Sequence, residues 1–429
     1  MRTRPALAAL SLLAASAPAA NGGTPGFAGR LLVVASDGDM QAQAYAGDSL
    51  GPPARDLLSI IRLDAGSPRL AGSVEVPNSV IGPPASLAVT PDGRYAILVE
   101  TRGPRPTNRP DARLEDLPPG RTITIVDLRD PDRPRVTQRT IGRAGPISVS
   151  VRPDGAQVAI AYDTAGRGGA ALDLYTFANG RLGSGRSPAI PGFAPGDALK
   201  NAAYAPDGAL ALVYATRPRL SMLRSTADGW LARWGNDVPL GPTPFEVRFT
   251  PDGRFAFVND MTVPATGTDV RGTVTAIALD AGRASDGSPM HRVVSQARTG
   301  VLPEGLTVSP DGRWFATTNL ERTAYRADDP HQGLFASVTL LRFDARTGAL
   351  IRVGDYPFAG VIPEAAAFDN SSRFLAVTSF DHLRPLPSRG SVDVWRIVGD
   401  FQDPDRVELA PTGLSIPVPR GAQSMEVVR

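Results

Sequence analysis

Short runs with a period of two recur along the whole chain. Phe245, Val247 and Phe249 alternate with Glu246, Arg248 and Thr250, and Leu306 and Val308 alternate with Thr307 and Ser309. That spacing places one face of an extended strand in a core and the other toward solvent or a second core. Each such run leads into the phrase Pro-Asp-Gly, at 91–93, 153–155, 206–208, 251–253 and 310–312, with a degenerate sixth copy at Asp369-Asn370-Ser371-Ser372. Proline presets φ for a tight turn and glycine accepts positive φ, so each phrase joins two antiparallel strands, such as 245–250 and 254–259. Two further strand candidates follow, as at 273–279 with 293–296 and at 337–343 with 350–353.

Four antiparallel strands per unit, repeated at steps of 62, 53, 45 and 59 residues between the prolines, predict the blades of an all-β propeller. Six units contain their own first strand. The N-terminal segment has only three strands, at 31–36, 58–64 and 69–76, and its missing inner strand is expected from the C-terminus, where Pro419-Arg420-Gly421 resembles Pro363-Glu364-Ala365. The expectation is a seven-bladed ring over residues 20–429, closed by the C-terminal strand joining the N-terminal blade so that no sheet edge stays open.

If the Pro-Asp-Gly turns share one face, the connections between second and third strands share the other. The long insertions at 37–56, 101–120, 261–272, 322–334 and 382–390 all fall there. Function on a rigid scaffold concentrates in such loops. Counting eight residues back from each turn glycine gives Ala85, Ile147, Lys200, Phe245, Glu304 and Glu364, with Arg420 placed at the same point of the closing strand, and Glu246 one residue further on in its blade. These positions open the inner strands at the mouth of the central channel. Lys200, Glu246, Glu304, Glu364 and Arg420 are therefore the candidate ligand-binding residues, joined by His331 and His382 from the rim insertions; the four last-named charged groups, Glu246, Glu304, Glu364 and Arg420, are also the catalytic candidates. Converging charges are costly to desolvate unless paired or bound to a ligand. Carboxylates at the ends of second strands, Glu100, Asp260, Glu321 and Asp381, are candidate metal ligands, and Ca²⁺ is the cation that such oxygens suit. Tyr45, Tyr325 and His331 are the rim rings placed to touch a ligand, while Trp230, Trp234, Trp314 and Trp395 are read as packing between blades.

Composition narrows the classes. Arg2 and Arg4, the apolar stretch 6–15 and Ala17-Pro18-Ala19 form a secretory signal over residues 1–19, which predicts a periplasmic or secreted protein. No run approaches the roughly 20 apolar residues that a membrane span needs. The absence of cysteine excludes a disulfide framework, a thiolate nucleophile and thiolate-ligated zinc. A net charge of +2 from interspersed 45 basic and 43 acidic residues argues against nucleic acid as a partner, and a monomer is expected. Gly-x-Ser-x-Gly, His-Glu-x-x-His and phosphate-binding glycine loops are all missing.

The segments Pro303-Glu304-Gly305-Leu306-Thr307-Val308-Ser309-Pro310-Asp311-Gly312-Arg313 and 249–259 resemble the lactonase-type seven-bladed propellers and the related YVTN-repeat proteins. The resemblance covers nearly the whole mature chain and implies hydrolysis of a sugar lactone or a related cyclic ester. Members of that family often carry Pro-Arg-His at the start of an inner strand. Here Pro244-Phe245-Glu246, Pro303-Glu304-Gly305, Pro363-Glu364-Ala365 and Pro419-Arg420-Gly421 stand instead. The resemblance thus implies Glu246 or Glu304 as the activator of water and Arg420 as the group polarising a carbonyl. Three functions follow in order of expectation: a non-catalytic exported propeller binding a small polar ligand or a partner protein, a lactone hydrolase, and a structural subunit of an envelope complex.

Overall fold

The computed structural model describes residues 26–63, 68–109, 111–164, 169–263, 270–382, 389–401, 403 and 406–429. The secretory signal expected at 1–19 lies outside them. Seven four-stranded antiparallel sheets stand in a ring. Blade 1 comprises Leu31–Ser36, Leu57–Arg62 and Arg69–Glu75, with Ala422–Val428 as its inner strand. The inner strands of blades 2 to 7 are Leu87–Val89, Pro146–Val151, Leu199–Tyr204, Pro244–Phe249, Pro303–Val308 and Ala366–Phe368. Each pairs in order with the three strands that follow it, except that in blade 7 the short strand Asp381–His382 leaves the series to pair with Gly360–Val361; in blade 4 the outer edge is split, Val238–Pro239 pairing with the same neighbour as Leu231–Arg233. The expected closure holds: Val33 pairs with Glu426 and Val34 with Met425, so residues nearly four hundred apart in sequence share one ladder.

The apolar stripes meet between blades. Seven buried clusters each draw on two neighbouring blades, from Leu32, Val34 and Met425 with Ala376 and Val394 across the closure, to Phe257, Phe315 and Phe343 between blades 5 and 6. Trp314 and Trp395 belong to the cluster between blades 6 and 7, and Trp234 packs edge-on to His291. Trp230 departs from the expectation, being 60 % exposed in a turn of blade 4. A large apolar side chain taken fully out of water contributes about 1.5–3 kcal/mol, and this chain stacks such residues at seven interfaces without a disulfide.

The turns explain why the repeat reads so clearly. Thr90 Oγ1 donates to Asp92 Oδ1 at 2.6 Å and accepts from the Tyr95 amide at 3.1 Å, while Gly93 sits at φ +66°. Thr250 with Asp252 and Ser309 with Asp311 repeat the arrangement. In the sixth copy Asp369 alone accepts the amides of Arg373 and Phe374, and Ser372 takes the glycine's place at φ +59°. A serine there bears strain that glycine would not. Its Oγ accepts the Asp311 amide of blade 6 at 3.1 Å, a bond glycine could not make.

Candidate active site at the channel mouth

At the top of the ring the inner strands of blades 1, 3, 4, 5 and 6 each carry one residue too many for the partner. Pro303 pairs with Asn319 and Gly305 with Thr318, leaving Glu304 bulged; Lys200 and Ile147 are bulged in the same way in blades 4 and 3. A bulge re-aims its side chain out of the ladder. It therefore gathers residues of different blades around the axis.

Blade 1 corrects the sequence-based alignment. Ser36 pairs with Ala422 and Ala35 with Ser424, so the bulged residue is Gln423, and Arg420 lies three positions too early. Gln423 accepts from Ser86 Oγ and donates to Asn78 Oδ1 at 2.9 Å, closing the mouth on that side. Arg420 Nη2 instead donates to the carbonyls of Gly38 at 2.8 Å and Pro52 at 3.2 Å, pinning both ends of the blade 1 insertion. It is a loop anchor.

Glu246 is also committed. Its Oε2 accepts the Leu306 amide at 2.9 Å, and its Oε1 accepts from Arg248, whose Nε donates to the Leu306 carbonyl. With Glu426, 3.9 Å from Arg248, these groups line a cavity of about 180 Å³ inside the channel. Burial pushes the Glu246 carboxyl up and Arg248 pulls it back down. The bonds of these two side chains to the Leu306 backbone tie blade 5 to blade 6.

Glu304, Glu364 and Lys200 remain. Glu304 and Glu364 are buried, while Lys200 is partly exposed beside the short connection 215–218 of blade 4. The Lys200 ammonium lies 4.3 Å from the centroid of the Phe245 ring, and among the described residues no carboxylate pairs with it directly. Desolvation holds it below the ordinary lysine range, opposed by the charges of Glu304 and Asp163. Desolvation raises Glu304 to about 8, against the pull of Lys200. Glu364 is raised well above the usual carboxylate range, first by burial and then by the neighbouring charge of Glu304. Its Oε2 has no hydrogen-bond partner among the described residues.

A cap covers this pair. The insertion of blade 1 forms a 3₁₀ turn at Ala42–Ala46, and Tyr45 reaches down to place its hydroxyl 3.2 Å from Glu364 Oε1 and 3.2 Å from the Val80 carbonyl. Met40, Ala42, Ala44 and Leu50 pack with Val80, Leu320, Ile362 and Phe380 in an eighth apolar cluster, which belongs to the loops rather than to the blades. An ion pair joins Asp48 to Arg326 across the rim. Such half-exposed pairs contribute about 0–1 kcal/mol, less than the burial of Met40 or Leu50 alone, so apolar contact holds the cap down. Apolar residues at 40, 42, 44 and 50 of the insertion were the available signal for it.

The other candidates take separate places. Glu100 accepts the Arg121 and Thr122 amides, Asp260 the Thr243 amide, Glu321 the Val301 amide, and Asp381 the amides of His382 and Arg389. Each satisfies the backbone of its own rim loop. His331 donates its amide to Asp329 and His382 Nε2 meets Ser391 Oγ; no hydrogen bond joins the two histidines. The three carboxylates that converge among the described residues are Asp37, Asp39 and Asp56, with one oxygen of each within 4.8 Å of the others. They line a cleft of about 450 Å³ with Glu100, Arg102 and Arg105. Asp37 already accepts the Val80 amide, and Asp56 those of Gly38 and Asn78, so the cluster offers three partly used ligands where Ca²⁺ takes six to eight oxygens. Burial raises Asp37, and raises Asp56 to about 7.

No family model matches the chain, and no curated protein sequence matches it. Solved structures do. A periplasmic gluconolactonase of Pseudomonas aeruginosa is 18 % identical, with 93 % of this chain and 99 % of that one covered and a TM-score of 0.61. A candidate 6-phosphogluconolactonase from Bacteroides uniformis is 16 % identical over 93 % and 99 % of the two chains, again with a TM-score of 0.61. A candidate selenium-binding protein from Sulfolobus tokodaii reaches the same TM-score at 10 % identity, covering 93 % and 94 %. Likeness at these identities is likeness of architecture. Among the described residues no helix is long and apolar enough to cross a membrane. The fold of this chain is that of the lactonase-type seven-bladed propellers.

Proposed function

We propose that the chain is an exported hydrolase of a sugar lactone or related cyclic ester, working at the channel mouth. The observation that supports this reading is the meeting of Glu304, Glu364 and Lys200 from three blades, two buried carboxyls with raised proton affinities beside a cation with which no carboxylate among the described residues pairs directly. Sites that move protons are where such perturbed groups gather. Glu304, drawn toward its ionised form by Lys200, takes a proton from the attacking water, and the Lys200 ammonium faces the oxyanion formed at the carbonyl. Lys200 replaces Arg420 in that role, because Arg420 is spent on the blade 1 loop. Substrate approaches from the blade 4 side, where the connection is short and Lys200 keeps contact with solvent. The periplasmic gluconolactonase among the structural neighbours favours the same reading.

The test is acid release from aldonolactones by the purified mature protein, followed at constant pH. Turnover that is lost in Glu304→Gln with the melting temperature retained supports it; wild-type protein that opens no lactone above the spontaneous rate refutes it. A partner protein on the loop face is the second reading, favoured by Leu334 and Phe335, which stand 61 % and 56 % exposed on the blade 6 insertion.

A further inference from the structure

The Tyr45 hydroxyl has one hydrogen and two buried acceptors at equal distance, Glu364 Oε1 and the Val80 carbonyl, both at 3.2 Å. If Glu364 were ionised, that hydrogen would serve one and leave the other unmet. An unmet buried acceptor costs about 1–3 kcal/mol, and more when charged. Burial and the acidic neighbours Glu304 and Asp37 oppose ionisation and outweigh the Tyr45 hydrogen bond, which favours it; among the described residues no cation is paired with Glu364. A neutral Glu364 satisfies every contact, donating from Oε1 to Tyr45, which donates to Val80. Oε2 is then a carbonyl oxygen, for which lacking a partner costs less than it would for half of a buried charge.

We propose that Glu364 stands as a neutral acid hydrogen-bonded to Tyr45 and that Glu364 gives its proton to the ring oxygen leaving as the lactone opens. The second half rests on the hydrolase reading above. The step balances. Water loses a proton to Glu304 and adds to the carbonyl carbon; the bond from that carbon to the ring oxygen breaks, and the ring oxygen leaves as a hydroxyl with the Glu364 proton. The carboxylate left behind is met by Tyr45, whose hydrogen swings from the Val80 carbonyl to Oε1. The proton on Glu304 then returns to Glu364, restoring both groups. Tyr45 is a positioning residue carried by the cap, so the acid is set only while the blade 1 insertion is seated.

Infrared spectroscopy of the mature protein tests the proton directly, through the carbonyl band of a protonated carboxyl at pH 7. The band is expected to lose one component in Glu364→Gln, keep that component in Glu304→Gln, and shift that component to higher frequency in Tyr45→Phe, where the acid has lost its acceptor. A spectrum with no component sensitive to Glu364→Gln, or one unmoved by Tyr45→Phe, overturns the proposal; if Glu364→Gln does not fold, the Tyr45→Phe shift alone decides. Turnover tests the second half. Glu364→Gln is expected to lower kcat at least tenfold with KM little changed, and Tyr45→Phe to move the alkaline limb of the pH profile. Unchanged kcat in Glu364→Gln, in an enzyme that opens lactones, overturns the acid role. A protein with the expected infrared behaviour that opens no lactone keeps the proton assignment and removes the hydrolase reading instead.

Discussion

Tyr45, carried on the insertion of blade 1, places its hydroxyl 3.2 Å from Oε1 of Glu364 on the far side of the ring closure, in blade 7. One hydrogen bond thus links a rim loop to a group buried at the propeller axis. It also makes the cap part of the candidate site.

Because apolar contact seats the cap, Met40→Ala or Leu50→Ala should loosen it without unfolding the ring. A Leu→Ala or Met→Ala change in a packed core costs about 2–5 kcal/mol. Hydrogen exchange should quicken for amides 40–50 while the inner strands keep their protection. Equal acceleration in all blades would mean that the cap and the ring form one cooperative unit.

Glu304→Gln should reduce lactone opening about 10²- to 10⁴-fold, the usual worth of a positioned base. The fold should survive, since the change removes a buried carboxyl whose desolvation opposes it. Wild-type activity should rise with pH through about 8, as Glu304 ionises. In Lys200→Met the rise should move to higher pH, because the cation favouring the carboxylate is gone. A profile that stays in place would separate Lys200 from Glu304.

Stability should fall as pH rises from the ordinary carboxylate range to about 7. Asp37 and Asp56 keep protons in the folded chain that the unfolded chain has already released, so raising the pH draws the equilibrium toward the unfolded state. Asp39 adds to both shifts by its charge, so Asp39→Asn should flatten part of the decline and stabilise the protein at pH 8. Urea unfolding at several pH values checks this; a steeper decline in the variant would contradict it.

Deletion of residues 422–429 should abolish cooperative folding. It removes the inner strand of blade 1, exposes the edge of Leu31–Ser36 and takes Met425 out of the closure cluster. A peptide of residues 420–429 should restore part of the melting transition, and a truncated chain that melts like the full one would show that closure is dispensable.

The sequence by itself determined the ring. Period-two runs and Pro-Asp-Gly turns are local, each set by the φ of proline and glycine and by which side chains avoid water, and their count required the C-terminus to complete blade 1. The places of Glu304, Glu364 and Lys200 at the starts of inner strands were legible for the same reason, since each lies at a constant offset from its turn. Only the tertiary structure decided which of the mouth residues are tied to their neighbours. The bulge that brings Gln423, not Arg420, to the mouth is one extra residue in a strand, which alternation does not encode. Glu246 was lost to the site because Arg248 and the Leu306 amide, the latter sixty positions away, take both its oxygens. The cap likewise depends on loops of blades 1, 2, 6 and 7 meeting, and contacts between parts of the chain so far apart leave no periodic trace in it.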